Sequence, residues 1–153
     1  MVGSRYLAAL VAAFVLVAGL SFAEGGSEAA KTPDVLVRES MDRLVSAYMG
    51  RNSNDFMTLV SSNFAGESSK LDTRLRRDFS QAVNISLSYT FNNVTFDSKS
   101  EYASVAITYT KNYTEVKTTQ QISKKGESKL VFKMEKGAYR LFRMDEPWFF
   151  SLK

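Results

Sequence analysis

The apolar residues of this chain change their spacing once, at Val83, and that switch limits the fold more than any other feature. Before it they recur at helical intervals. Val37, Met41, Leu44, Val45 and Tyr48 line one face of a segment that begins at Thr32-Pro33-Asp34 and ends at Gly50. Ser53 can cap a second, shorter segment carrying Phe56, Leu59 and Val60, which closes at Gly66 just after Phe64. A third helix is expected over about Lys70 to Gln81, with Leu71, Leu75 and Phe79 on one stripe. From Val83 onward the period is two, as a strand with one buried face requires.

The first strand alternates Val83, Ile85, Leu87, Tyr89 and Phe91, and then its apolar phase slips by one residue to Val94 and Phe96. Asn92-Asn93 is therefore read as a bulge, which bends a strand and re-aims the side chains beyond it. A polar turn at Asp97 to Ser100 leads to a strand with Ala103, Val105, Ile107 and Tyr109 on one face, continuing through Tyr113 and Val116. Lys124-Lys125-Gly126-Glu127 reads as a hairpin turn, followed by Leu130, Phe132 and Met134 in alternation. Glu135-Lys136-Gly137 turns again into a last strand, Ala138 to Met144, with Tyr139 and Leu141 expected on one face and Phe142 and Met144 on the other. Three helices followed by a meander of about four antiparallel strands give an α+β domain with helices covering one face of a curved sheet. A last strand apolar on both faces suggests that the outer face is covered too.

The 153 residues suffice for one core. Residues 1–23 read as a signal peptide: Arg5 is followed by an uncharged run from Tyr6 to Ala23 that ends in the small-x-small pattern Ser21-Phe22-Ala23. An uncleaved membrane anchor is the alternative. Residues 24–33 form a flexible leader, poor in large apolar side chains, and residues 34–153 the single domain. Either reading exports the domain, to the periplasm or as a secreted protein. The chain has no cysteine and no histidine, which excludes disulfides, thiolate or imidazole metal sites and a cysteine nucleophile. The Asn-x-Ser/Thr triplets at Asn84, Asn93 and Asn112 read as chance in a chain rich in Ser and Thr. The net charge of +4 is concentrated after residue 96, and it reads as solvated lysines on strands.

The segments "AYMGRNSNDFMTLVSSNF", "LDTRLRRDF" and "KLVFKMEKGAYRLFRM", with the bent strand between them, resemble the nuclear transport factor 2-like superfamily over residues 34 to 145. That superfamily includes ketosteroid isomerase and scytalone dehydratase. The resemblance implies a cone-shaped domain whose cavity lies between helices and sheet. The dehydratase-type His and Asp pair has no counterpart in a chain without histidine. Leu44 and Ser68 fall where the isomerase-type tyrosine and acid would stand, with Tyr48 one turn from Leu44.

Candidate pocket residues are Tyr48, Phe64, Phe79, Tyr89 and Tyr109, with Arg77 as a rim cation suited to an anion. Glu67 and Asp78 read as solvated surface acids. No catalytic residue, metal ligand or cofactor is assigned. Lys124, Lys125, Lys129 and Lys133 cluster near Tyr113 and Phe132, but export argues against a nucleic-acid partner. Trp148-Phe149-Phe150 should dock on the domain's own sheet or on a partner subunit, the functional alternative being a weak membrane-surface contact. The function expected is an exported, non-catalytic domain that binds a small apolar molecule or an envelope partner, as a homodimer through the outer sheet face. The competing class is a cofactor-free isomerase or hydratase using a carboxylate and tyrosines in the same cavity, and a third reading, a structural or interaction module with no pocket, follows if aromatic side chains fill the cone.

Overall fold

The computed structural model describes residues 30–152. The expected signal peptide and residues 24–29 of the leader lie outside the described residues. Helix α1, Pro33–Met49, opens with Pro33 in its first turn and Asp34 near the positive end of its dipole, where Arg38 pairs with it at 2.8 Å. The Thr32 hydroxyl makes no capping bond. The helix buries Val37, Met41, Leu44, Val45 and Tyr48. After Gly50 the reversal itself is made by Arg51, at φ 56°.

Helix α2, Ser53–Thr58, is capped one residue earlier than the sequence suggested: Asn52 Oδ1 accepts the Asp55 N–H at 3.0 Å. It ends before Val60, because the chain there is drawn into strand-like pairing. Leu141 donates its N–H to the Leu59 carbonyl and accepts that of Ser61, each at 2.9 Å. Helix α3, Ser68–Gln81, buries Leu71, Leu75 and Phe79, and also Asp78.

Strands β1 (Ala82–Phe96), β2 (Tyr102–Glu115), β3 (Gln121–Glu135) and β4 (Ala138–Met144) pair antiparallel in the order β1-β2-β3-β4. The register of β1 against β2 slips between Phe91 and Asn93, as the phase change foretold, so that Phe91, Val94 and Phe96 stay paired with Ile107, Val105 and Ala103 on one face. A second slip, between Val83 and Ser86, accompanies Asn84 at φ 54°; alternation alone did not reveal it. The helices cover the concave face, and the shared core joins Met41, Leu44, Leu71, Leu75, Ile107, Leu130, Phe132 and Leu141. Burying such side chains stabilises the fold by about 1.5–3 kcal/mol each.

Two strand expectations are corrected. Lys124 to Glu127 is not a turn but the middle of β3, and the β2–β3 reversal falls at Val116 to Gln120. Glycine is needed at 126 for another reason. It lies directly opposite Tyr109, whose ring covers it so closely that a Cβ would sit 2.9 Å from the Tyr109 Oη and 3.1 Å from Cζ. In β4, Phe142 is an extra residue: Phe132 pairs with Leu141 and Leu130 with Met144. That bulge returns Met144 to the inner face with Tyr139 and Leu141, and all three are buried. The expected turn before β4 is made by Lys136 at φ 52° and Gly137 at φ 81°, a left-handed pair suited to a two-residue hairpin.

Gly126→Val should overpack the inner face against Tyr109 and lower stability by about 1–3 kcal/mol. Urea unfolding measures the loss, and adding Tyr109→Phe should recover only part of it, since Cζ stays in place.

Candidate functional site

The interior of the cone is lined from three directions. Tyr48 enters from the last turn of α1, Phe56 from α2, and Asp78 and Phe79 from α3. From the sheet come Tyr89 on β1 and Tyr109, Lys111 and Tyr113 on β2. Inside lies the carboxy-terminal tail. Phe149 and Phe150 are fully buried, with ring centroids 4.6 Å apart. Phe150 packs on Phe56 at 4.8 Å and Tyr48 at 5.5 Å; Phe149 packs on Tyr109 at 5.1 Å and Tyr89 at 6.2 Å. These tilted and edge-on arrangements set positive ring edges against negative faces.

Two ionisable side chains share this apolar interior. Lys111 is 1% exposed, and its ammonium donates to the carbonyls of Phe149, at 2.6 Å, and Ser151. The rings of Tyr109, Phe149 and Tyr48 lie 5.4, 5.9 and 6.0 Å from it. Burial pulls its pKa from the ordinary 10.5 to about 8, against the raising influence of Asp78 and with a smaller lowering by Lys124. Asp78 is fully buried, which corrects the expectation of a surface acid. Its Oδ2 accepts the Leu152 N–H at 2.9 Å, while Oδ1 accepts no hydrogen bond among the described residues and has Arg77 Nε 4.0 Å away. A carboxylate tolerates that position because one oxygen meets an amide and two cations lie near. The Tyr48 hydroxyl likewise has no hydrogen-bond partner among the described residues. Burial first, then the charge of Asp78, raises its pKa.

Of the residues singled out from sequence, Tyr48, Phe79 and Tyr109 meet in the interior, with Tyr48 5.3 Å from Phe79. Tyr89 is half-buried. Its ring touches Phe149, but its hydroxyl turns outward to donate to Asp42, and burial followed by that bond raises its pKa. Phe64 is buried apart from them against Trp148, at 6.5 Å. Arg77 stands at the rim beside Asp78, while Arg74 covers the Trp148 ring at 4.3 Å.

Lys111 does not figure among the residues singled out from sequence, Asp78 is buried where a surface acid was expected, and Phe149–Phe150 dock within the domain, as expected, but inside the cone. The signal for the first two was present: Lys111 continues the inward phase of Ala103, Val105, Ile107, Tyr109 and Tyr113, and Asp78 extends the Leu71–Leu75–Phe79 stripe. A charged side chain at an inward position needs a partner, and periodicity alone does not show one. Among the described residues no group of three or more Asp or Glu side chains gathers to hold a metal ion. Surface grooves of about 440 Å³, lined by Arg43, Ser46, Asn52 and Asp55, and about 490 Å³, lined by Asn54, Met57, Asp72 and Arg76, lie on the helices away from this interior.

No family model and no curated protein matches the chain. Solved structures do. A ketosteroid isomerase-like protein from Erwinia carotovora atroseptica superposes with a TM-score of 0.61 at 10% identity, over 72% of this chain and 91% of that one. A provisionally assigned scytalone dehydratase from Novosphingobium aromaticivorans gives 0.67 at 11% identity, over 72% and 80%. A protein of the nuclear transport factor 2-like family from Streptomyces avermitilis gives 0.59 at 7% identity, over 73% and 93%. The fold is that of the nuclear transport factor 2-like superfamily. At these identities the likeness establishes the cone and says nothing of what it binds or does.

Lys111 sets a pH signature for this domain. Its folded pKa lies below its unfolded value, so between about pH 8 and 10 the unfolded chain holds the extra proton and stability rises with pH. The rise is at most about 1.4 kcal/mol per pH unit. Above pH 10 the raised tyrosine Tyr48 opposes it, since its unfolded form loses a proton that the folded form keeps. Urea unfolding at pH 7.5 and 9.5 should show the gain, and Lys111→Met should remove it.

Proposed function

We propose that the chain is an exported, non-catalytic domain, periplasmic or secreted, whose cone interior binds small apolar molecules or an apolar part of an envelope partner. The observation that carries this reading is the insert itself. The interior accepts two phenyl rings, Phe149 and Phe150, among Tyr48, Phe56 and Tyr109, so its shape and polarity suit apolar aromatic groups. In a chain with Phe149→Ala and Phe150→Ala the vacated interior should bind Nile red at least fivefold more tightly than the unaltered chain does. Equal, weak binding by both folded chains would remove the reading. Export is tested by the mass of the chain recovered from its own host, expected to lack residues 1–23.

A second reading, a cofactor-free isomerase or hydratase, draws on Asp78 Oδ1 and the Tyr48 hydroxyl, two buried polar atoms without hydrogen-bond partners among the described residues. A carboxylate there would serve as base and the tyrosine as donor to a developing oxyanion. This reading requires the tail to leave first. Proton exchange next to a ketone carbonyl that is lost in Asp78→Asn would favour it over the first.

Pairing of two copies through the outer sheet face belongs to the same proposal. What supports it is the half-buried pair Tyr102 and Phe142 on that face, ring centroids 5.4 Å apart. Light scattering should give a dimer mass, and Phe142→Glu a monomer.

A further inference from the structure

The tail beyond β4 is held by several polar side chains of the cone. Asp145 makes the last main-chain ladder contact, donating to the Lys129 carbonyl at 2.9 Å. Beyond it, side chains of the cone grip the main chain of the tail. Lys111 reads the carbonyls of Phe149 and Ser151, and Lys124 and Tyr113 read that of Leu152 at 2.6 and 3.4 Å. Asp78 accepts the Leu152 N–H, and Ser128 Oγ reaches the Pro147 carbonyl at 3.5 Å. The tail turns at Phe149–Phe150, places both rings inside, and sets Trp148 beneath Arg74.

This is how a protein binds a peptide: polar side chains fix the main chain, and pockets choose the side chains. Two of the groups doing so, Lys111 and Asp78, are charged and fully or almost fully buried. Charges of that kind are costly unless a partner meets them, so they bind strongly to main-chain groups and poorly to a purely hydrocarbon guest.

We propose that the cone interior is a peptide site, occupied in cis by Pro147–Leu152, that takes in trans a short segment of another exported protein bearing two adjacent aromatic residues followed by a small and an aliphatic one. The inference rests on the reading that the interior binds apolar groups, and it names the chemistry of the guest. A second copy of this chain is a poorer source. Its own tail is docked in cis at an effective concentration of order millimolar, so exchange between copies opens two sites and fills the same two.

The test uses the full mature chain and a fluorescent peptide copying residues 145–153, followed by anisotropy. Phe149→Ala with Phe150→Ala weakens the cis tail; this chain should bind the peptide at least tenfold more tightly than the unaltered chain, and adding Lys111→Met should cost at least tenfold again. Absence of binding, equal binding to both chains, or indifference to Lys111→Met overturns the proposal. Should circular dichroism find the double variant unfolded, Trp148, the chain's single tryptophan, supplies the readout in the unaltered protein. The same peptide with phenylalanine at position 148 should shift Trp148 emission to the red as the tail leaves, and no shift at millimolar peptide overturns the proposal. Nile red taken up by the double variant without any peptide binding retires the peptide site and leaves the apolar-site reading standing; failure of both retires both. A concentration-dependent dimer that the double variant abolishes would make the second copy the guest and overturn the choice of source.

Discussion

Lys111 is almost wholly withdrawn from solvent. It stands on the inner face of β2 between Tyr109 and Tyr113, and a lysine there must find oxygen atoms or lose its proton. The oxygen atoms it finds are carbonyls of the tail. That demand fixes the position of Phe149 and Ser151, which in turn places two phenyl rings in the interior and brings the Leu152 amide to Asp78. Helices, sheet and tail thus meet at one ammonium group. Without it the tail would lose the contacts that hold the carbonyls of Phe149 and Ser151.

The filled interior changes what the fold can be asked to do. A cone between three helices and a bent sheet offers a cavity, and here aromatic rings from α1, α2, β1, β2 and the tail occupy it at interior-like spacing. Lys111 and one oxygen of Asp78 meet main-chain groups of the tail. Tyr89, which could have aimed a hydroxyl inward, directs it to Asp42 at the surface. The same residues that would hold a guest therefore hold a piece of the chain.

The fold was legible in the sequence because both signals behind it are local. Helical spacing through Phe79, alternation from Ile85 and the phase slip at Asn92 each follow from which side chains must leave water. The errors were also local. Gly126 was read as turn chemistry, although its partner across the strand, Tyr109, is what requires it; that requirement becomes visible only when the two strands are paired. Met144 was placed outward because one bulged residue in β4 inverts the count. The candidate site was only partly legible. Tyr48, Phe79 and Tyr109 follow from phase, whereas the burial of Asp78 and Lys111 depends on partners far along the chain.

The sequence by itself determined the order of elements, the inward face of each and the bend in β1, since neighbouring residues suffice to fix periodicity. Only the tertiary structure decided what fills the cone. Two charged side chains can be buried when main-chain groups from residues 149 to 152 arrive to meet them, and that meeting joins α3, β2 and the tail across dozens of residues. No local pattern encodes such a contact, because its stability comes from desolvating all of its members at once.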